Sequence, residues 1–271
     1  MSENMSKCKP QSIKEYLDWL ETARGIVVEK NYQVYYDSVA NKVKRDLQAS
    51  DFWIQLVENL LAFDHEYQIQ TGYQLFMPKN PNLFEPELVL KTFDSFLLKT
   101  FRKNILENEL WPNEPKNGWV LPSNWFSRIN DIVRTLFVVK YFDGVDFVIG
   151  KIGSCCKQHN MNCEISFEAR EEGYYAAHLY TRQMFEIPKI DWDTERVEFS
   201  IEIQITTQLQ EVIRKLLHKY YERKRKAIVI PTEKWQWNYK CDEFSTNYLG
   251  HILHYVEGMI MEIREKQKKA I

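Results

Sequence analysis

The chain has 271 residues and a formal net charge of −2, with 36 Lys and Arg against 38 Asp and Glu. That balance lacks the basic excess of a dedicated nucleic-acid binder, and an aromatic fraction of 14% excludes a disordered chain outside the ends. Apolar runs fall short of the roughly 20 residues that span a membrane, and Met1-Ser2-Glu3-Asn4 lacks the apolar core of a signal peptide, so a cytoplasmic protein with no membrane partner is expected.

Up to about residue 110 the pattern is helical and reads as an N-terminal extension. Ser12-Ile13-Lys14-Glu15 has the form of a capping box, and Ile13, Tyr16, Leu17 and Leu20 follow at helix spacing. Phe52, Leu56, Leu60 and Phe63 form an apolar stripe with Trp53, Val57 and Leu61, and Pro86 opens a further segment in which Leu90, Phe93, Leu97 and Phe101 recur. Lys99 to Lys103 read as the polar face of that helix. The tract from Glu107 to Trp125, rich in Pro, Asn and Trp, marks the boundary before a second region over 111–230.

That region has an α/β order. A strand is predicted near 131–140, a helix near 143–158, strands near 163–168, 175–186 and 197–206, then a helix in which Leu209, Val212, Ile213, Leu216, Leu217 and Tyr220 share one face. Over 231–271 a terminal helix is predicted from Leu249, Ile252, Leu253, Val256, Ile260 and Ile263, packing back on the domain. Trp235 and Trp237 alternate and are expected to cover the sheet.

Within this frame, Val197 to Thr206 alternate without error. Val197, Phe199, Ile201, Ile203 and Ile205 point one way, while Glu198, Ser200, Glu202, Gln204 and Thr206 point the other, placing a carboxylate and an amide two residues apart on one edge. A second carboxylate, Asp131, opens the β-branched run that includes Arg134. Two carboxylates from neighbouring strands are a usual way to hold Mg²⁺ against nucleotide phosphates, because this ion takes oxygen ligands and keeps much of its own water. Between them lies Gly173-Tyr174-Tyr175-Ala176-Ala177-His178, where glycine lets backbone approach a ligand and tyrosine rings offer faces for a base.

In this order, Asp131, the Gly173 to His178 loop, Glu202-Ile203-Gln204-Ile205-Thr206-Thr207 and His218-Lys219, the chain resembles the synthetase domain of the RelA/SpoT family over about residues 118–226. The resemblance implies an α+β, nucleotidyltransferase-like mixed β-sheet flanked by helices. It also implies transfer of pyrophosphate from ATP to the ribose hydroxyl of a guanine nucleotide or related acceptor. Asp131 and Glu202 would be the catalytic and metal carboxylates sharing one Mg²⁺, Tyr174 the ring that stacks on the acceptor base, and His178 a histidine near its phosphates. Gln204 falls on the strand glutamine, and His218 and Lys219 fall on polar positions of the next helix.

Departures from the family's pattern point to a divergent branch. Its Asp-x-x-Gly-x-Arg is here Asp131-Ile132-Val133-Arg134-Thr135-Leu136, the loop's Arg-Ser is Tyr175-Ala176, and the strand's arginine is Thr206. Since guanidinium groups clamp phosphates at two points, these changes weaken the hold on an acceptor's phosphates, with Arg134 and Tyr175 as the substitutes. The family's basic donor motif ahead of Asp131 has no recognised counterpart. A toxin-like activity on the tRNA 3' end and a silent nucleotide-binding or sensing module are the alternatives.

Other residues take structural readings. Cys8, Cys155, Cys156, Cys163 and Cys241 lack paired zinc spacing and are expected as reduced thiols, with Cys155 and Cys156 buried on a helix. His251 and His254 read as packed or hydrogen-bonded, and Arg223 to Arg225 with Lys226 as a solvated helix end.

Overall fold

The computed structural model describes residues 8–76, 86–189, 193–216 and 235–269. His218, Lys219 and the basic run 223–226 lie outside the described residues. Five strands form a mixed sheet in the order β1-β2-β5-β4-β3, where β1 is Val89–Leu90, β2 Val133–Val139, β3 Asn162–Ala169, β4 Tyr175–Pro188 and β5 Thr194–Thr207. Helices flank it, so the predicted α+β class and each predicted strand from β2 to β5 are present. The chain divides into two compact units, the first built from 1–48, 88–134 and 182–201, the second from 49–87, 135–181 and 202–271.

The first unit is held by aromatic packing. Helix α1 (Ile13–Arg24) starts where Ser12 Oγ accepts from Glu15 N and the Glu15 carboxylate accepts from Gln11 N, and it ends at Gly25, whose φ of 65° suits a residue without a Cβ. Helix α2 (Lys30–Gln48) buries Tyr36, Val39, Ala40, Val43 and Leu47, a helix-spaced stripe. Between residues 86 and 101 the structure differs from the single predicted helix. Leu90 belongs to β1, which pairs antiparallel with β2 (Val89 opposite Arg134, Leu90 opposite Val133), and the helix begins only at α5, Phe93–Phe101, capped by Thr92. Helices α3 (Asp51–Glu58) and α4 (Leu60–Thr71), which precede it in the chain, belong to the second unit.

Tyr36, Phe96, Trp125 and Phe126 meet in the core, with Tyr36 and Phe96 centroids 4.6 Å apart and Phe96 and Trp125 5.1 Å apart. The tract 107–125 is packed into this unit. Trp119, Val120 and Trp125 are buried, and buried Asn104 donates to Val120 O and Tyr16 OH while accepting from Val120 N. One side-chain amide thereby satisfies a loop that would otherwise bury unpaired backbone groups.

In the second unit, α3 (Asp51–Glu58) and α4 (Leu60–Thr71) precede the edge bridge Phe76 to Val139, and Asp64 accepts from the backbone of Leu75 and Phe76. Helix α6 (Trp125–Arg128) closes the first unit's loop, and α7 (Asp143–Gln158) follows β2, burying Val145, Val148, Ile149, Ile152, Cys155 and Cys156 as expected. After β5 a helix, α8, runs over 208–216 to the end of that described stretch. The terminal helix α9 (Asp242–Lys269) docks through Arg264, whose guanidinium lies 4.2 Å from the Tyr73 ring centroid and 4.3 Å from that of Tyr141 while pairing with both oxygens of Asp143. Trp235–Trp237 form a short 3₁₀ turn; Trp235 meets the edge of Tyr248, but Trp237 is 86% exposed and covers no sheet. Among the described residues, no helix is long and apolar enough to cross a membrane.

Candidate active site

The β5 alternation has a consequence that the pattern alone did not show. Phe199, Ile201, Ile203 and Ile205 are fully buried, yet Ser200, Glu202 and Thr206 on the opposite face are buried as well, while Gln204 is half-buried and Glu198 exposed. Glu202 is therefore a carboxylate withdrawn from water, which must be hydrogen-bonded to remain.

Its partners come from the same strand and the next. His178 Nδ1 lies 2.9 Å from Glu202 Oε1, Tyr180 OH donates to the same oxygen at 3.3 Å, and Gln204 Nε2 donates to Oε2 at 2.9 Å. A carboxylate only accepts, so His178 carries a proton on Nδ1, and in the neutral ring Nε2 accepts from the Tyr174 hydroxyl at 3.1 Å. Four side chains are thus in series: Tyr174, His178, Glu202 and Gln204. Burial, then the charge of Glu202, pushes the Tyr174 hydroxyl up to about 12, so it keeps its proton at neutral pH. Alternation along β4 and β5 puts these groups on one face, since His178 and Tyr180, like Glu202 and Gln204, are two residues apart.

Gly173 holds the loop that carries Tyr174. Its φ is +74°, its N–H bonds to Arg170 O, and the Tyr174 carbonyl accepts from Arg170 N. The Tyr174 ring is half-buried, stands edge-on to His178 and has the Arg170 guanidinium 5.6 Å from its centroid. Tyr175 is used differently. Its ring stacks on His254 with centroids 3.6 Å apart, and its hydroxyl meets His251 Nδ1 at 2.8 Å. His251 and His254 are thus packed and hydrogen-bonded as expected, and no cluster of three His, Cys, Asp or Glu able to hold a metal occurs among the described residues.

Asp131 belongs to the first unit. It stands two residues ahead of β2, 8% exposed, between two ammonium groups: Lys91 Nζ is 2.9 Å from Oδ2 and Lys99 Nζ 2.9 Å from Oδ1. Burial pushes the Asp131 carboxyl up, but Lys99 and Lys91 together hold it below its ordinary range. Each ammonium thus pairs with one carboxylate oxygen. Lys103 and Arg134 add positive charge to the same neighbourhood. Burial and then Lys99 pull the Lys103 ammonium down, and Arg134 acts electrostatically on Lys91 and on Tyr36.

Lys91 and Lys99 escaped the sequence reading. In the sequence Lys99 belongs to the polar face of a helix, and Lys91 carries no motif. Lys91 stands just before the Thr92 cap of α5 and Lys99 lies on that helix, and neither position points to Asp131 by its spacing.

No protein-family model matches the chain, and no curated protein matches it. Solved structures do. Small alarmone synthetase 1 from Bacillus subtilis is 15% identical over 84% of this chain and 99% of its own, with a TM-score of 0.51. The chain has the fold of small alarmone synthetase 1. A GTP pyrophosphokinase family protein from Streptococcus pneumoniae (17% identity, 84% of this chain and 96% of its own, TM-score 0.48) and small alarmone synthetase 2 from B. subtilis (17%, 88% and 99%, 0.46) are also similar. On the alarmone synthetase fold, then, the chain carries two polar centres, one at Asp131 and one at Glu202.

Proposed function

We propose that the chain is a pyrophosphokinase, transferring the β,γ-pyrophosphoryl group of ATP to a ribose hydroxyl of a guanine nucleotide or related acceptor. One observation carries this: on the fold of small alarmone synthetase 1, Glu202 is a buried carboxylate fixed by His178, Tyr180 and Gln204 in series with the Tyr174 hydroxyl.

Glu202 is the proposed general base. As the acceptor oxygen bonds to the β-phosphorus, the hydroxyl proton passes to Glu202, and the bond from that phosphorus to the α,β-bridging oxygen breaks, so AMP leaves with the electron pair. Three donors on Glu202 hold its orientation before substrate arrives, which lowers reorganisation during reaction. Tyr174 is proposed to carry the acceptor base on its half-buried ring. The cations around Asp131, namely Lys91, Lys99, Lys103 and Arg134, suit the phosphates of the donor.

Mg²⁺ is part of the proposal. Glu202 would offer it a carboxylate oxygen, the ligand type this hard ion takes. When bound, the ion would offset phosphate charge.

Incubating the protein with ATP labelled on its γ-phosphate, and with GTP, GDP or tRNA, tests the reading. Label appearing in a nucleotide supports it, label in tRNA moves the acceptor to the RNA 3' end, and label in neither, with nucleotide still bound, leaves a sensing module.

A further inference from the structure

The imidazole of His178 has both nitrogens engaged, Nδ1 on Glu202 at 2.9 Å and Nε2 on the Tyr174 hydroxyl at 3.1 Å, and the residue is only 6% exposed. A ring so placed has no N–H left to offer an acceptor's phosphates. It does join two groups with separate roles. Tyr174 presents a ring to the acceptor base, and Glu202 takes the proton from the acceptor hydroxyl.

We propose that His178 is a positioning residue which couples the ring that recognises the acceptor base to the carboxylate that activates its hydroxyl. The inference rests on the pyrophosphokinase reading and adds a specificity device to it. A base that settles against Tyr174 fixes the phenol, the phenol O–H fixes the imidazole, and the imidazole N–H fixes Glu202. An acceptor that leaves Tyr174 free to turn leaves Glu202 less well aimed. The site thus discriminates by turnover and not by phosphate contacts at this residue.

Three substitutions separate coupling from packing. Tyr174→Phe keeps the ring and removes only the hydroxyl. His178→Asn places an amide N–H near the position of Nδ1 and preserves the Glu202 contact, whereas His178→Gln places its amide near Nε2 and preserves only the Tyr174 contact. Each variant is compared with the wild type for kcat and acceptor KM, after circular dichroism and thermal melting have shown that it folds.

Tyr174→Phe is expected to lower kcat roughly three- to tenfold, the range for one lost hydrogen bond, with KM unchanged. His178→Gln should lower kcat at least as much, again at constant KM, and His178→Asn, which keeps the Glu202 contact but loses the Tyr174 link, should fall only as far as Tyr174→Phe. A His178→Gln effect confined to KM would make His178 a direct acceptor ligand and overturn the coupling. So would a Tyr174→Phe or a His178→Asn variant with wild-type kcat. A wild-type protein that transfers no pyrophosphate to any acceptor removes the functional reading itself and the coupling with it.

Discussion

Gly173 and Gly250 meet backbone to backbone. A Cβ built on Gly173 would stand 3.0 Å from the Gly250 Cα, and one built on Gly250 would stand 3.0 Å from the Gly173 Cα and closer still to its carbonyl oxygen. This approach lets helix α9 lie against the turn that presents Tyr174, with Tyr175 seated on His251 and His254 of the same helix.

Gly250→Ala should therefore destabilise by about 2 kcal/mol or more, although alanine favours helices in general, because the new methyl meets the Gly173 backbone. Gly173→Ala should cost at least as much, since it adds a positive φ to the clash. The double variant should lose less than the two singles combined, as both act at one contact. Urea denaturation of the three proteins measures this; a Gly250→Ala protein as stable as wild type would show the two backbones to be further apart.

At Asp131 the two lysines should separate. The Lys91 side chain is 12% exposed and that of Lys99 is 32%. Lys91→Ala leaves a buried carboxylate short of a partner and is expected to cost roughly 1–3 kcal/mol of stability as well as affinity for an ATP analogue. Lys99→Ala should weaken the analogue with a smaller stability loss. Calorimetric titration and thermal melting measure the two effects, and analogue binding unchanged in both variants would remove the donor assignment.

Arg264→Lys tests the anchor of α9. Lysine keeps the charge but not the flat guanidinium that lies between Tyr73 and Tyr141 or its two contacts with Asp143, so a loss of about 1–3 kcal/mol is expected where a simple charge requirement would give none.

What the sequence made legible follows from range. Strand β5 was readable because its alternation is local and error-free, and the faces of α7 and α9 were readable because helical spacing repeats within a few residues. Strand β1 was not, for it has two residues, and Leu90 sits in helix phase with Phe93, Leu97 and Phe101. The Lys91 and Lys99 contacts with Asp131 join residues far apart in the chain, and ion pairing leaves no periodic trace between them. Glu202 was chosen for its pattern, but the reason that it can serve as a base, burial among His178, Tyr180 and Gln204, depends on how β4 and β5 pair. Nor could sequence alone show that the ring of Tyr175 is spent on His254.

Glu202→Gln bears on mechanism. The new amide would face donors, but His178 can shift its proton to Nε2 and the Gln204 amide can turn over, so both contacts can be rebuilt. The melting temperature should change little, whereas transfer should fall roughly a hundredfold or more with the base removed. A variant that keeps wild-type turnover would take the base role from Glu202.

Most direct is the fate of the phosphates. With ATP labelled at the β-phosphate and an acceptor nucleotide present, the β-label is expected to move to the acceptor while unlabelled AMP forms in equal amount, and both are expected to vanish in Glu202→Gln. Label leaving as ADP or orthophosphate, or AMP forming equally in wild type and Glu202→Gln, would contradict pyrophosphoryl transfer by this site.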